Sequence, residues 1–204
     1  MKKYLKWIVC LLSFIIFIIL SILVIIKKDI YLDSYVYNFI SKIISSNLTN
    51  IIKWMTYIGS AIAVISITLF TFLCFKNKRY GLFMSIDLIC ITIIQLILKN
   101  IFTRGRPVDI SLIEETGYSF PSGHSLTSMA FYGFIIYLIY NSKLNLQSKR
   151  VFTILFALLI FITGFSRIYL GVHYFTDVIG GFTLSISYLI VYTSIINSML
   201  YKKD

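Results

Sequence analysis

Residues 166–177 read SRIYLGVHYFTD and lie between apolar segments on both sides. His173 and Asp177 are four residues apart, so on a helix they would share one face and could form a hydrogen bond. A carboxylate that holds one imidazole nitrogen leaves the other free as a nucleophile or base. Arg167 carries a planar, permanently charged fork that suits phosphate oxygens. The stretch therefore indicates an anion-binding catalytic site. The alternative is a surface loop whose His and Asp are solvated or cap a helix.

The composition indicates a membrane protein. Of the 204 residues, 58% are hydrophobic and 13% are charged, whereas soluble domains carry about 25% charged residues. The formal net charge of +11 is explained by lysines that flank apolar segments, where they set topology and contact anionic lipids. There is no long basic tract, which disfavours a nucleic-acid partner. No repeat or second domain is visible, and we expect one all-α domain over residues 1–204.

Six apolar segments are predicted to span the membrane as a single helical bundle. They cover about residues 7–26, 54–75, 80–98, 125–140, 151–165 and 178–200. The first has about the 20 residues that a spanning helix needs and no small-residue cleavage site, so it is interpreted as a retained helix and not as a signal peptide. Residues 27–53 are mixed in character and predict a short amphipathic helix at the interface.

The distribution of basic residues predicts that both termini are cytoplasmic. With this orientation eleven basic residues are cytoplasmic: Lys2, Lys3, Lys6, Lys76, Lys78, Arg79, Lys143, Lys149, Arg150, Lys202 and Lys203. Seven are outside: Lys27, Lys28, Lys42, Lys53, Arg104, Arg106 and Arg167. The third and fifth connections lie on one membrane face in either orientation. We expect this face to be the outer one.

Two further segments that carry basic side chains precede residues 166–177. Residues 99–107 read KNIFTRGRP, and residues 118–125 read YSFPSGHS. The two histidines and two prolines of the chain all fall within these three segments. We therefore expect one set of side chains to converge at a single membrane surface: Lys99, Arg106, His124, Arg167, His173 and Asp177.

The three segments resemble the signature of the type 2 phosphatidic acid phosphatase (PAP2) family. These membrane lipid phosphatases share an active site with bacterial class A acid phosphatases and vanadium haloperoxidases. The signature K-x6-R-P, P-S-G-H and S-R-x5-H-x3-D is met by residues 99–107, 121–124 and 166–177 without a departure. The resemblance implies a phosphatase of lipid phosphates in a bacterial-type plasma membrane.

The resemblance assigns the cations Lys99, Arg106 and Arg167 to the phosphate oxygens. Stabilisation of phosphoryl transfer comes mainly from positioning and preorganised positive charge. Ser122 and Gly123 precede an expected helix start, where exposed N–H groups and the helix dipole favour an anion. We therefore predict that they contribute to phosphate binding.

The two histidines are expected to have opposite protonation states. Neutral His173, oriented by Asp177, would attack phosphorus and form a phosphohistidine. Protonated His124 would donate to the leaving group and then act as a base for water. No metal or other cofactor is required, because the cations replace Mg²⁺ and there is no cluster of ligands to hold a metal.

The candidate substrates are phosphatidic acid, phosphatidylglycerol phosphate and polyprenyl diphosphate, of which the resemblance favours the last two. A vanadate-dependent peroxidase and a non-catalytic lipid-phosphate binder or transporter are the alternatives. Membrane lipids are the other expected partners, and no protein partner is indicated.

Arg104 is expected to touch headgroups or a second phosphate, or to have no special role. Asp109, Glu114 and Glu115 are expected to be solvated or to pair within their loop.

Overall fold

A computed structural model describes residues 2–26 and 30–201, and within these residues all regular secondary structure is helical. The helices are α1 (Lys2–Ile25), α2 (Tyr31–Ser41), α3 (Ser46–Thr56), α4 (Ala61–Cys74), α5 (Arg79–Phe102), α6 (Gly123–Tyr140), α7 (Leu146–Tyr169) and α8 (Phe175–Tyr201). Short 3-10 turns cover Tyr57–Gly59 and Val108–Ile110. The predicted all-α fold is confirmed. Of the basic residues in the orientation argument, Lys27, Lys28, Lys202 and Lys203 lie outside the described residues.

Within residues 2–26 and 30–201, four helices are long and apolar enough to cross a membrane, namely α1, α5, α7 and α8. The pair α3 and α4 is bent by 45° and makes a fifth span if it is counted as one. Helix α6, the predicted fourth span, does not reach the same apolar character because its first turns carry His124, Ser125, Thr127 and Ser128. It contacts α5, α7 and α8, so protein rather than lipid surrounds much of it. The count of six spans therefore stays a prediction.

Two serine caps explain the helix boundaries that the sequence analysis placed wrongly. The Ser45 hydroxyl accepts from the amide of Leu48 at 3.4 Å and starts α3. The Ser60 hydroxyl accepts from the amide of Ala63 at 3.4 Å and starts α4. Such caps satisfy amides that have no partner within their own helix. The predicted continuous span 54–75 is therefore broken, and residues 30–53 hold two helices instead of one.

The largest hydrophobic cluster surrounds α6. Phe131, Tyr132 and Phe134 of α6 are at most 1% exposed and pack with Met84 of α5 and Tyr192 of α8. The Tyr132 hydroxyl donates to the carbonyl of Ile58 at 2.6 Å, next to the break between α3 and α4. Packing contacts and such hydrogen bonds hold helices together where lipid removes the hydrophobic driving force between them.

The helix ends bring the three signature segments to one end of the bundle. Lys99 lies in the last turn of α5 and Arg167 in the last turn of α7. Gly123 begins α6, and Asp177 lies in the first turn of α8. Arg106, Pro107, Pro121 and Ser122 lie in the connection 103–122, His173 lies in the connection 170–174, and His124 and Ser166 lie within α6 and α7. Two of the cations, Lys99 and Arg167, thus come from carboxyl-terminal helix ends, where the helix dipole favours positive charge.

The connection 103–122 docks closely on the turn that follows α7. The amide of Leu112 donates to the carbonyl of Leu170 at 2.9 Å. Gly171 has a φ of +65°, and a Cβ there would collide with the carbonyl oxygen of Ile110. Both observations require a residue without a side chain at 171.

We expect Gly171→Ala to lower the free energy of unfolding by more than about 2 kcal/mol, because it adds left-handed strain of roughly 1–2 kcal/mol to overpacking of roughly 1–3 kcal/mol. Thermal or denaturant unfolding in detergent measures the change. The matched control is Gly105→Ala, since a Cβ at Gly105 meets nothing within 4 Å. Equal stability of the two variants would contradict this account of the docking.

Candidate active site

A cavity of about 550 Å³ lies at the end of the bundle where the signature segments meet. Its polar wall consists of Lys99, Arg106, Glu115, Thr116, Gly123, His124 and His173. Its other wall is largely apolar and is formed by α4 and α5. The structure thus brings together residues from all three segments, and their individual roles stay predictions.

His173 and Asp177 meet, although not on the face of one helix as the spacing suggested. His173 lies in the turn before α8, and its amide donates to the carbonyl of Arg167 at 3.3 Å. The Asp177 carboxylate reaches back from the first turn of α8. Its Oδ2 accepts from the amide of Tyr174 at 2.9 Å and lies 3.4 Å from His173 Nδ1. That distance allows an ion pair but is long for a hydrogen bond.

The contacts of His173 define which ring nitrogen carries the proton. Arg106 Nη1 lies 3.2 Å from His173 Nε2. A guanidinium can only donate, so Nε2 must be the acceptor and a neutral ring is protonated at Nδ1, the nitrogen that faces Asp177. Burial lowers the pKa of His173 to about 4, against the opposing effect of Asp177. The ring is therefore neutral near pH 7, with a lone pair on Nε2.

Glu115 occupies the space between the two signature arginines. Its Oε1 accepts a close hydrogen bond from Arg167 Nη2, and its Oε2 lies 3.7 Å from Arg106 Nη2. Burial alone would raise the pKa of this carboxyl, but Arg167 and then Arg106 hold it below its usual value. The sequence analysis allowed Glu115 a pairing role but missed its partners. The excess of cations over anions in the signature is the signal that could have identified it.

The Arg167 side chain is 1% exposed and is held by residues that the sequence analysis did not select. Its Nη1 donates to Thr56 Oγ1 at 2.9 Å, at the end of α3. Its Nε has no hydrogen-bond partner among the described residues. An unpaired buried donor is rare. This one lies on a side chain that contacts Glu115, a residue of the cavity wall, but Arg167 itself does not line the cavity, so its contact with phosphate stays a prediction.

His124 is the second residue of α6 and lines the cavity. Burial, followed by repulsion from Arg167, lowers the pKa of His124 to about 3, with Glu115 opposing the change. The imidazole is therefore neutral near pH 7 before substrate binds, whereas the predicted acid role requires a proton on this ring. A phosphate dianion is the kind of neighbour that would raise this pKa, because an opposite charge favours the protonated form.

Of the two small residues predicted to bind phosphate, only Gly123 lines the cavity. A Cβ at Gly123 would lie 2.5 Å from the Gln95 side-chain nitrogen, so the two residues are in close contact. Ser122 precedes α6 as its cap residue, but its amide donates to the carbonyl of Asp177 at 3.0 Å. Its hydroxyl accepts from Ser125 at 3.1 Å. Phosphate binding by Ser122 has no supporting contact here.

Arg104 does not line this cavity but pairs with the carboxylate that faces His173. It forms ion pairs with Asp33 at 2.8 Å and with Asp177 at 2.6 Å. The sequence did not predict these ion pairs, and a contact of Arg104 with headgroups or a second phosphate stays a prediction. Asp109 and Glu114 are exposed, as expected.

Comparisons with known proteins agree with the signature. A family model described as the PAP2 superfamily matches residues 80–199. Phosphatidylglycerophosphatase B of Bacillus subtilis is 38% identical over 91 residues, which are 44% of this chain and 45% of that protein. The chain thus matches about half the length of this relative. Undecaprenyl-diphosphatase of Sulfolobus acidocaldarius is 27% identical over 94% of this chain and 92% of its own length.

Two solved structures have a similar fold. A transmembrane PAP2 type phosphatidylglycerolphosphate phosphatase from Bacillus subtilis has a TM-score of 0.81 and 25% identity, covering 95% of this chain and 98% of its own. LpxE from Aquifex aeolicus has a TM-score of 0.68 and 23% identity, covering 82% of this chain and 98% of its own. The second similarity concerns the fold alone.

The lowered pKa values of both histidines predict that acid destabilises the protein. The unfolded rings bind protons below about pH 6.5, whereas the folded rings stay neutral down to about pH 4 and about pH 3. Stability is therefore full above about pH 6.5 and falls as the pH drops toward 4. The unfolding temperature in detergent should decrease from pH 7 to pH 5. In the double variant His124→Gln/His173→Gln the unfolding temperature should depend less on pH. An unchanged pH dependence would contradict the lowered pKa values of the two histidines.

Proposed function

The chain belongs to the PAP2 superfamily, and on that premise we propose that it is a phosphatase that hydrolyses lipid phosphates or diphosphates at the outer membrane face. The protein is an integral membrane protein with spanning helices. Both termini are cytoplasmic in this proposal, because the positive-inside rule favours the side with more basic residues.

The observation that carries the proposal is the two-sided cavity. Its cationic end holds Lys99, Arg106 and the two histidines, while its other wall continues along the middle of α4 and α5. This apolar part consists of Val64, Ile65, Leu88, Ile89 and Ile93. A headgroup phosphate fits the first end, and a hydrocarbon chain fits the second.

A second cavity of about 300 Å³ extends the apolar part. It shares Ile65, Leu88 and Ile89 with the first and reaches Leu69 and Phe72. Ile65, Ile89 and Leu69 are also more than half exposed at the side of the bundle. The space between α4 and α5 thus forms a groove toward the membrane, which supports a lipid rather than a soluble phosphate ester.

In the proposed reaction the cations hold the non-bridging oxygens, and His173 Nε2 attacks the terminal phosphorus in line with its bond to the bridging oxygen. That oxygen is the ester oxygen of a monophosphate or the anhydride oxygen of a diphosphate. The N–P bond forms as the bond from phosphorus to the bridging oxygen breaks, and His124 gives its proton to that oxygen. Water then attacks the phosphohistidine while His124 takes one of its protons. Inorganic phosphate leaves, and His173 recovers its lone pair.

Substrate binding requires two contacts to change. Arg106 covers the Nε2 lone pair at 3.2 Å, and Glu115 holds Arg167 and faces Arg106. A phosphate that binds both arginines offers them stronger acceptors than one carboxylate. We expect it to turn Arg106 away from His173 and to compete with Glu115.

The relatives narrow the substrate class. They are named as phosphatases of phosphatidylglycerophosphate and of undecaprenyl diphosphate. We propose phosphatidylglycerol phosphate and polyprenyl diphosphate as the leading substrates, with phosphatidic acid as the third. A groove formed by aliphatic side chains suits either an acyl or a prenyl chain.

Replacement of the histidines tests the reaction. His173→Ala should abolish phosphate release from lipid phosphates, and His124→Ala should reduce kcat by about 10²–10⁴-fold. Release is measured with purified protein over a panel of lipid mono- and diphosphates, with and without EDTA, while circular dichroism checks the fold. Vanadate should inhibit the wild type. A wild type that binds vanadate but releases no phosphate would support a lipid-phosphate binder instead.

The groove is tested by paired tryptophan substitutions on α5. Ile89→Trp should lower kcat/KM for a long-chain lipid phosphate about tenfold or more, a loss of about 1.4 kcal/mol in transition-state binding. It should affect a small water-soluble phosphate ester much less. Ile97→Trp is the matched control, since Ile97 is similarly exposed at 54% but does not line the cavity. Equal losses for both substrates would place the lipid chain elsewhere.

A further inference from the structure

Arg104 lies two residues before the signature arginine and is not part of the K-x6-R-P pattern. Its guanidinium nevertheless bridges two buried carboxylates. Nη1 donates to Asp177 Oδ1 at 2.6 Å and to Thr176 Oγ1 at 2.8 Å, and Nη2 donates to Asp33 Oδ2 at 2.8 Å. The planar group also stacks over the Tyr174 ring at 4.1 Å from its centroid. Three of these partners, Tyr174, Thr176 and Asp177, follow His173 closely in the chain.

Asp33 ties the same group to a helix far away in the sequence. It lies in the first turn of α2 and is 6% exposed. Its Oδ1 accepts from the amide of Thr176 and its Oδ2 from the Thr176 hydroxyl, both at 2.8 Å. Asp33 therefore satisfies an amide at the start of α8, which has no partner within its own helix. Helix α2 is fastened to the first turn of α8 through buried polar contacts.

The Asp177 carboxylate connects Arg104 to His173, the proposed nucleophile. Arg104 holds Oδ1, while the other oxygen lies between the Tyr174 amide at 2.9 Å and His173 Nδ1 at 3.4 Å. Because the two oxygens belong to one rigid plane, fixing Oδ1 also fixes the direction from which Oδ2 faces the imidazole. Asp177 is fully buried, so no solvent molecule can easily replace Arg104.

We propose that Arg104, held by Asp33, is a positioning residue for the nucleophile that acts through Asp177. This rests on the proposed function, in which His173 attacks phosphorus. Arg104 keeps the Asp177 carboxylate oriented toward His173, so that the Nδ1–H tautomer is favoured and Nε2 retains its lone pair. The carboxylate partner of a catalytic histidine has a large effect elsewhere, since the wrong tautomer costs about 10⁴-fold in the serine protease triad.

The proposal predicts a loss of kcat with little change in KM. Arg104→Gln should reduce kcat for lipid phosphate roughly 10²-fold, below the loss expected for the carboxylate itself. KM should stay within about threefold, because Arg104 does not line the substrate cavity. Arg104→Lys keeps the charge but cannot bridge both carboxylates with one planar group. Its kcat should therefore lie between that of the wild type and that of Arg104→Gln.

The double variant Arg104→Gln/Asp33→Asn separates positioning from stability. Arg104→Gln leaves two buried carboxylates without a cation and should lower the unfolding temperature. Adding Asp33→Asn removes one of these charges and should recover much of that temperature, but kcat should stay at the Arg104→Gln level. Arg150→Gln, at the exposed start of α7, is the matched control and should behave as wild type.

Two results would overturn the proposal. One is a kcat of Arg104→Gln within threefold of wild type, and the other is recovery of kcat together with stability in the double variant. The second result would mean that Arg104 only neutralises Asp33. If Arg104→Gln fails to fold, the kcat of Arg104→Lys decides in the same way. A wild type without lipid phosphatase activity would instead refute the proposed function, so the two failures are distinguishable.

Discussion

The burial of Arg167 is the constraint on which the active-site end of the bundle depends. A guanidinium that is 1% exposed costs several kcal/mol unless charged or polar partners surround it. Its partners come from two irregular places, the end of α3 at Thr56 and the long connection that carries Glu115. The break between α3 and α4 and the docked connection therefore do more than link helices. They supply the acceptors that allow a permanent cation to lie inside a membrane protein.

The alternation of helix ends extends the same principle to the rest of the site. Helices α5 and α7 end there with Lys99 and Arg167 in their last turns, whereas α6 and α8 begin there. Carboxyl-terminal ends favour cations and amino-terminal ends favour anions. An antiparallel bundle thus places cations and the amino-terminal ends of helices around one space. The same alternation leaves Asp177 at the start of α8, where a carboxylate is stabilised by the dipole.

Spacing within the sequence predicted the part of the site that depends on local pattern and on topology. The three segments converge because connections on the same side of a bundle must meet. The partners Asp33 and Arg104 were not predictable, since they are 71 residues apart along the chain and nothing in either local sequence points to the other. The helix-face argument for His173 and Asp177 gave the correct pair through the wrong geometry, because α8 begins only at Phe175. Hydropathy is also a poor guide to α6. A helix that contacts protein on several sides can carry more polar residues than a helix that faces lipid.

Burial and the charge balance of the site explain why the pKa of His124 is lowered, although the proposed mechanism needs a proton on this ring. Around the two histidines, four cations (Lys99, Arg104, Arg106 and Arg167) face three carboxylates (Asp33, Glu115 and Asp177), which leaves one positive charge. In that environment a protonated His124 would add an unpaired buried charge, so its pKa is low. A phosphate dianion reverses the sign of the site, and a proton on His124 then reduces the imbalance instead of increasing it. On the proposed function, the general acid therefore gains its proton together with the substrate, and protonation belongs to the complex rather than to the protein alone.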